Sequence, residues 1–141
     1  MNQFPFALVI AVLVQVSCQS FKFVYYSFRS GRISPRYFAT AGGVPSAHTA
    51  FVTALAVSIG IRAGFSSDLF AVATVFAAIV VYDAFRLRGH VQDHARIINR
   101  HLLPTTDEEP VSEMVGHSIP EILAGLAFGG GLSAVATVLL S

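Results

Sequence analysis

The sequence predicts an all-α integral membrane protein, a helical bundle with about four transmembrane helices, the second short or partly reentrant. Three observations carry that expectation. Of 141 residues, 54% are hydrophobic and only 12% are charged, about half the charged share of an ordinary soluble domain. Mean hydropathy is +0.65. The apolar residues fall into four stretches divided by glycine and proline. The length fits one membrane domain over residues 1–141. A single cysteine, Cys18, excludes an internal disulfide framework and a cysteine-based zinc site. A net charge of +1 gives no reason to expect nucleic acid as a partner.

The first stretch, Phe4–Phe21, is 18 residues long, about 27 Å as a helix against a bilayer core of roughly 30 Å. Gly31, Pro35 and the pair Gly42-Gly43 break the chain after it. The second, Thr49–Ile61, is shorter and carries Thr53 and Ser58. Gly64 to Ser67 form the next break. The third, Leu69–Phe85, is interrupted only by Thr74 and by Asp83 near its end. A polar connection over residues 86–118 follows, with Pro104 to Pro110 within it. The fourth stretch, Ile119–Leu140, is rich in glycine and alanine, and Gly125 and Gly129 match the small-xxx-small spacing that allows close helix contact.

The N-terminus is read as the first span. A secretory signal peptide wants a positive leading segment and a small-residue cleavage site, and Met-Asn-Gln offers no such charge. Basic residues then set the orientation. Lys22, Arg29, Arg32 and Arg36 follow the first span, and Arg86, Arg88, Arg96 and Arg100 follow the third. With four helices these two connections share a side, which the positive-inside rule makes cytoplasmic. Tyr25, Tyr26 and Tyr37 lie near basic residues and read as interfacial anchors.

Two histidines stand at matching places. His48 follows Gly42-Gly43-Val44-Pro45-Ser46-Ala47 at the start of the second helix, and His117 lies in Gly116-His117-Ser118-Ile119-Pro120-Glu121 at the start of the fourth. Helix starts offer unpaired N–H groups and a positive dipole end, so two of them beside arginines suit a phosphate. Glu121 has two readings. It caps its own helix by accepting from the Ser118 N–H, or it pairs with His117, orienting the ring and favouring its protonated form. Ser46 reads as a helix cap. Asp83, a carboxylate at the end of an apolar span, asks for a partner among Arg86, Arg88 and Lys22 and is favoured as a structural ion pair. His90 and His94 have the i, i+4 spacing of a zinc site whose acidic ligand would come from Asp107 to Glu113. Their other reading is the polar face of a surface helix, Leu87–Leu102, with Val91, Ala95, Ile98 and Leu102 turned to the membrane.

Gly-Gly-Val-Pro-Ser-Ala-His-Thr-Ala, then Val81-Tyr82-Asp83-Ala84, then Gly-His-Ser-Ile-Pro-Glu-Ile-Leu-Ala-Gly resemble the divergent branch of the type 2 phosphatidic acid phosphatase superfamily, related to the vanadium-dependent haloperoxidases. The resemblance runs from about Lys22 to Gly125. The superfamily pattern is Lys-x6-Arg-Pro, Pro-Ser-Gly-His and Ser-Arg-x5-His-x3-Asp. Lys22 and Arg29 keep the first spacing, with Ser30 for the proline. Pro45-Ser46-Ala47-His48 keeps the second, with alanine for glycine. His117 and Glu121 keep the end of the third with the longer acid, while Pro110 and Val111 stand where it has Ser-Arg. Arg88 resembles an arginine shared by the divergent branch and is expected to take over the phosphate contact of the missing one.

The resemblance implies a metal-independent, cofactor-free lipid-phosphate phosphatase acting on a phospholipid or polyprenyl phosphate. His117 is the implied nucleophile, Glu121 its orienting acid and His48 the general acid and base. Lys22, Arg29, Arg88 and N–H groups around Ser46 and Ala47 are the implied phosphate ligands. With four spans rather than the family's usual six, the resemblance also admits a homo-oligomer in which a second subunit completes the site. Two rivals remain at this level: a phosphate-headgroup binding or transport protein without turnover, and a zinc hydrolase using His90 and His94.

Overall fold

A computed structural model describes residues 5–34, 36–39, 42–102, 109–113 and 115–140. Phe4, Pro35, Pro104, Asp107 and Glu108 lie outside them. Among the described residues every regular element is helical: α1 (Phe6–Ser30), α2 (Arg36–Ala39), α3 (Ala47–Ala63), α4 (Asp68–Tyr82), α5 (Arg88–His101) and α6 (Ile119–Leu140), with a π-helical turn over Asp83–Leu87. The π turn joins α4 and α5 into one helix of 34 residues. Three helices are long and apolar enough to cross a membrane, Phe6–Ser30, Asp68–His101 and Ile119–Leu140, with the shorter apolar Ala47–Ala63 beside them. The protein is a helical membrane bundle.

Two ends differ from the apolar pattern. Hydropathy stops the first span at Phe21, yet α1 continues through Lys22 and Arg29 to Ser30 and ends where Gly31 turns left-handed at φ 65. Nothing in Lys22–Arg29 breaks a helix, so the backbone runs on past the apolar limit until a residue without a Cβ turns it. The surface helix expected from Leu87 to Leu102 continues directly from the third span. At about 1.5 Å per residue the joined helix is about 51 Å long, well beyond a bilayer core of about 30 Å. Its polar half α5 therefore stands clear of the hydrocarbon. Of the apolar face expected on it, Ala95 is buried, while Val91, Ile98 and Leu102 are exposed.

α3 is the axis of the bundle, packed by α1, α4 and α6. It is one unbroken helix of 17 residues, about 25 Å long. Ser46 caps it, accepting from the Thr49 N–H at 3.4 Å, and Ser67 caps α4, accepting from the Phe70 N–H at 3.2 Å.

The tightest seam joins α3 to α6. A Cβ on Gly125 would come within 2.6 Å of the Ser46 carbonyl oxygen, and one on Gly129 would strike the Ala50 backbone. About two turns beyond Gly129, Thr137 donates to Ser58 at 3.0 Å across a separation of 79 residues. Ser46–Gly125 and Ala50–Gly129 keep that same separation, and Ala54 and Ser133, both fully buried, fall between them. The small-xxx-small pair of α6 is thus part of a longer stripe facing a matching stripe of α3. A constant offset means the two helices run parallel and start at the same end.

Candidate active site

The parallel seam brings His48 and His117 together. Their ring centroids are 6.4 Å apart, and the Ser46 N–H donates to the Glu121 carbonyl at 3.0 Å, tying one helix start to the other. Ser46 is fully buried, and Thr49 Oγ1 donates to its hydroxyl at 3.0 Å. Its hydroxyl and its N–H are therefore both engaged in holding the helix starts. Ala47, buried beside it, opens the first turn of α3.

His117 sits just before α6 with its side chain wholly buried. Its Nδ1 lies 3.0 Å from Glu121 Oε2. An ionised carboxylate only accepts, so Nδ1 carries a proton, and in the neutral ring Nε2 keeps its lone pair. That Nε2 is buried without a hydrogen-bond partner among the described residues, as is His48 Nδ1. The same Glu121 oxygen accepts from the Ser118 N–H at 3.2 Å. The two readings of Glu121 hold together: one oxygen caps the helix and orients the ring. Glu121 favours the protonated ring, as its pairing with His117 implies, but it does not set the balance. Burial holds the imidazole below its ordinary value, Glu121 offsets this only in part, and the charges of Lys22 and Arg88 oppose the added proton.

The π turn supplies two further contacts. Its Arg88 N–H bonds the Asp83 carbonyl, five residues back, rather than the Ala84 carbonyl four back. Ala84 O accepts instead from the His117 N–H at 3.2 Å. In an α-helix residues five apart point about 140° from each other, but the wider turn brings Arg88 Nε within 3.1 Å of Asp83 Oδ2. Asp83 pairs with Arg88, as favoured for it, and Arg88 lies within electrostatic reach of both histidines.

Lys22 reaches the same place from α1. It is fully buried, its Nζ has no hydrogen-bond partner among the described residues, and its charge is felt by both histidines. Arg29 is not drawn in. It lies two turns further along α1, exposed, and donates to the Tyr25 hydroxyl at 3.2 Å. Cys18, one turn before Lys22, is buried and donates to the Pro45 carbonyl at 3.7 Å.

A cleft of about 730 Å³ is lined by His117 and Glu121 together with Tyr26, Gly43, Arg86 and Gly89. Tyr26, read as an interfacial anchor, has a second task. Its hydroxyl accepts from the Val44 N–H at 3.3 Å and lies where a Cβ on Gly43 would stand. Gly43 has φ 93, so both conformation and space require glycine there. The Gly-Gly pair could have signalled a close approach, but nothing in the sequence named Tyr26 as what approaches. His90 and His94 are exposed, and no three His, Cys, Asp or Glu side chains gather as a metal set among the described residues.

A family model described as the Divergent PAP2 family matches residues 4–132. The chain is also 32% identical over 117 residues to an uncharacterized membrane protein, YuiD, of Bacillus subtilis (strain 168), covering 72% of this chain and 71% of that protein. No solved structure matches.

Proposed function

The chain belongs to the Divergent PAP2 family, and on that premise we propose that it is a lipid-phosphate phosphatase working through a phosphohistidine. The observation that carries the reading is the state of His117. Its Nδ1 is committed to Glu121 at 3.0 Å while its Nε2 is buried with no hydrogen-bond partner among the described residues, beside His48, Lys22 and Arg88. A buried nitrogen without a partner is costly, and a neutral imidazole with its proton fixed on the far nitrogen is a ready nucleophile.

In this reading His117 Nε2 attacks phosphorus in line, the P–O bond to the lipid breaks, and His48 gives its proton to the departing oxygen. His48 then takes a proton from water, which attacks the phosphohistidine and releases phosphate. Lys22, Arg88 and N–H groups of the first α3 turn offset the charge of the transition state. Ser46 contributes as the cap that aims this turn, since its own N–H is held by Glu121. The substrate class is a phosphate monoester or diphosphate on a phospholipid or polyprenyl chain. The site lies on the basic side of the bundle, which the positive-inside rule makes cytoplasmic.

The test uses purified protein in detergent with excess chelator, offered phosphatidic acid, phosphatidylglycerol phosphate or a polyprenyl diphosphate. Wild type should release phosphate, inhibited by vanadate. His117→Ala should abolish release, and His48→Ala should cut it by about 10²- to 10⁴-fold. Equal release from His117→Ala overturns the reading. One observation favours the rival without turnover: Pro110 and Val111 stand at the Ser-Arg positions of the third motif. Saturable headgroup binding with no release would establish it.

A further inference from the structure

The loop that carries His117 is held along α5 by side chains outside every motif. Asn99 Nδ2 donates to the Val111 carbonyl and to Glu113 Oε1, each at 2.8 Å, and its Oδ1 accepts from the Val111 N–H at 2.9 Å. A side-chain amide here makes the two-way pairing that one strand makes with another. One turn back, Arg96 Nε reaches Glu113 at 3.7 Å. A further turn back, Gln92 Oε1 accepts from the Gly116 N–H at 3.1 Å. Beyond it, in the π turn, the Ala84 carbonyl takes the His117 N–H at 3.2 Å.

Positions 99, 96, 92 and 84 thus meet 111, 113, 116 and 117 in reverse order. The described residues of the loop therefore run antiparallel to the helix. Contacts at both ends, Asn99 with Val111 and Ala84 with His117, hold the loop in register. Gly116 makes the close approach possible: a Cβ there would meet the Arg88 carbonyl and the Gly89 Cα, each at 3.0 Å. A slip of one residue would move His117 by about 3.3 Å, when a displacement of about 1 Å already costs about 10²-fold in rate.

We infer that Gln92 and Asn99 are positioning residues for His117, with α5 as the template that sets the register of the loop bearing it. The inference rests on the reading of His117 as nucleophile. Neither side chain need touch substrate. Gln92 acts only as an acceptor toward Gly116, so Gln92→Glu keeps that contact and Gln92→Ala removes it. Asn99→Asp keeps one of three bonds and sets a second carboxylate beside Glu113.

Phosphate release and backbone amide hydrogen exchange would be measured on the full chain in detergent. Gln92→Ala should lower kcat about 10- to 100-fold with KM changed by less than about twofold, because Lys22 and Arg88 lie outside the loop that the change releases. Gln92→Glu should return kcat to within about threefold of wild type, and Asn99→Asp should fail to rescue Asn99→Ala. Exchange at Gly116 and His117 should rise in Gln92→Ala and Asn99→Ala and stay low in Gln92→Glu. Equal kcat in Gln92→Ala and Gln92→Glu, or a rise in KM at constant kcat, overturns the inference. If wild type releases phosphate from no lipid, the phosphatase reading fails and exchange alone decides. Protection lost in Gln92→Ala and kept in Gln92→Glu then upholds the template, and equal protection overturns it.

Discussion

A single oxygen, Glu121 Oε2, serves both the Ser118 N–H and His117 Nδ1. Local spacing can propose either partner but cannot choose, because both lie within one turn of the acid. Burial then decides the charge. His117 is held below the ordinary histidine value chiefly by desolvation, with Glu121 pulling the other way. The neutral, nucleophilic form therefore persists to lower pH than a free imidazole allows. The acid limb of kcat/KM, measured over pH 4 to 8, should fall below the ordinary value of about 6.5. Glu121→Gln removes the carboxylate that favours protonation, so its limb should move lower still. Its kcat should drop about 10- to 100-fold, because the amide orients the ring less firmly. An upward shift would contradict this account. Lys22 makes a related point, since an amine buried with no hydrogen-bond partner among the described residues is a cost that stability does not explain.

At the scale of elements the site depends on the α3–α6 seam. Four successive small residues on each helix let the backbones approach, and that approach sets His48 against His117. Within a bilayer, packing and interhelical hydrogen bonds drive association, because the tails are as apolar as leucine. Gly129→Leu would drive a side chain into the Ala50 backbone, with an overpacking cost of about 1–3 kcal/mol or more. It should lower the melting temperature in detergent and lose activity with it. Gly131→Leu, where a Cβ meets nothing within 4 Å, is the control and should melt like wild type. The glycine pair was legible in α6. Its partner stripe was not, because Ser46, Ala50, Ala54 and Ser58 lie among other small and apolar residues and gain meaning only opposite α6. The π turn was likewise invisible: Val81-Tyr82-Asp83-Ala84 reads as ordinary helix, and only the docking of His117 shows what the extra residue does.

For the whole molecule, the 34-residue helix carries α5 out of the hydrocarbon on the side where α3 and α6 begin, so the cleft opens to that side. Cys18 is fully buried and gives little background for thiol labelling. Arg32→Cys and His94→Cys should react with an impermeant maleimide from one face of sealed vesicles, and Ser66→Cys from the other. Labelling of Ser66→Cys and His94→Cys from the same face would refute the arrangement of helices.

Composition by itself determined that the protein belongs in a membrane, and hydropathy determined its apolar helices, because each is a sum over many residues that no single contact can reverse. The motifs determined the family and nominated His48, His117, Glu121, Lys22 and Arg88, and also Arg29, which the fold leaves outside the site. The tertiary structure decided how they meet: the parallel seam, the ion pair across a π turn, the loop laid along α5, and the Ser46 N–H turned to Glu121. Those depend on distances between residues as many as 79 apart, and such distances are set by packing, which local spacing does not encode.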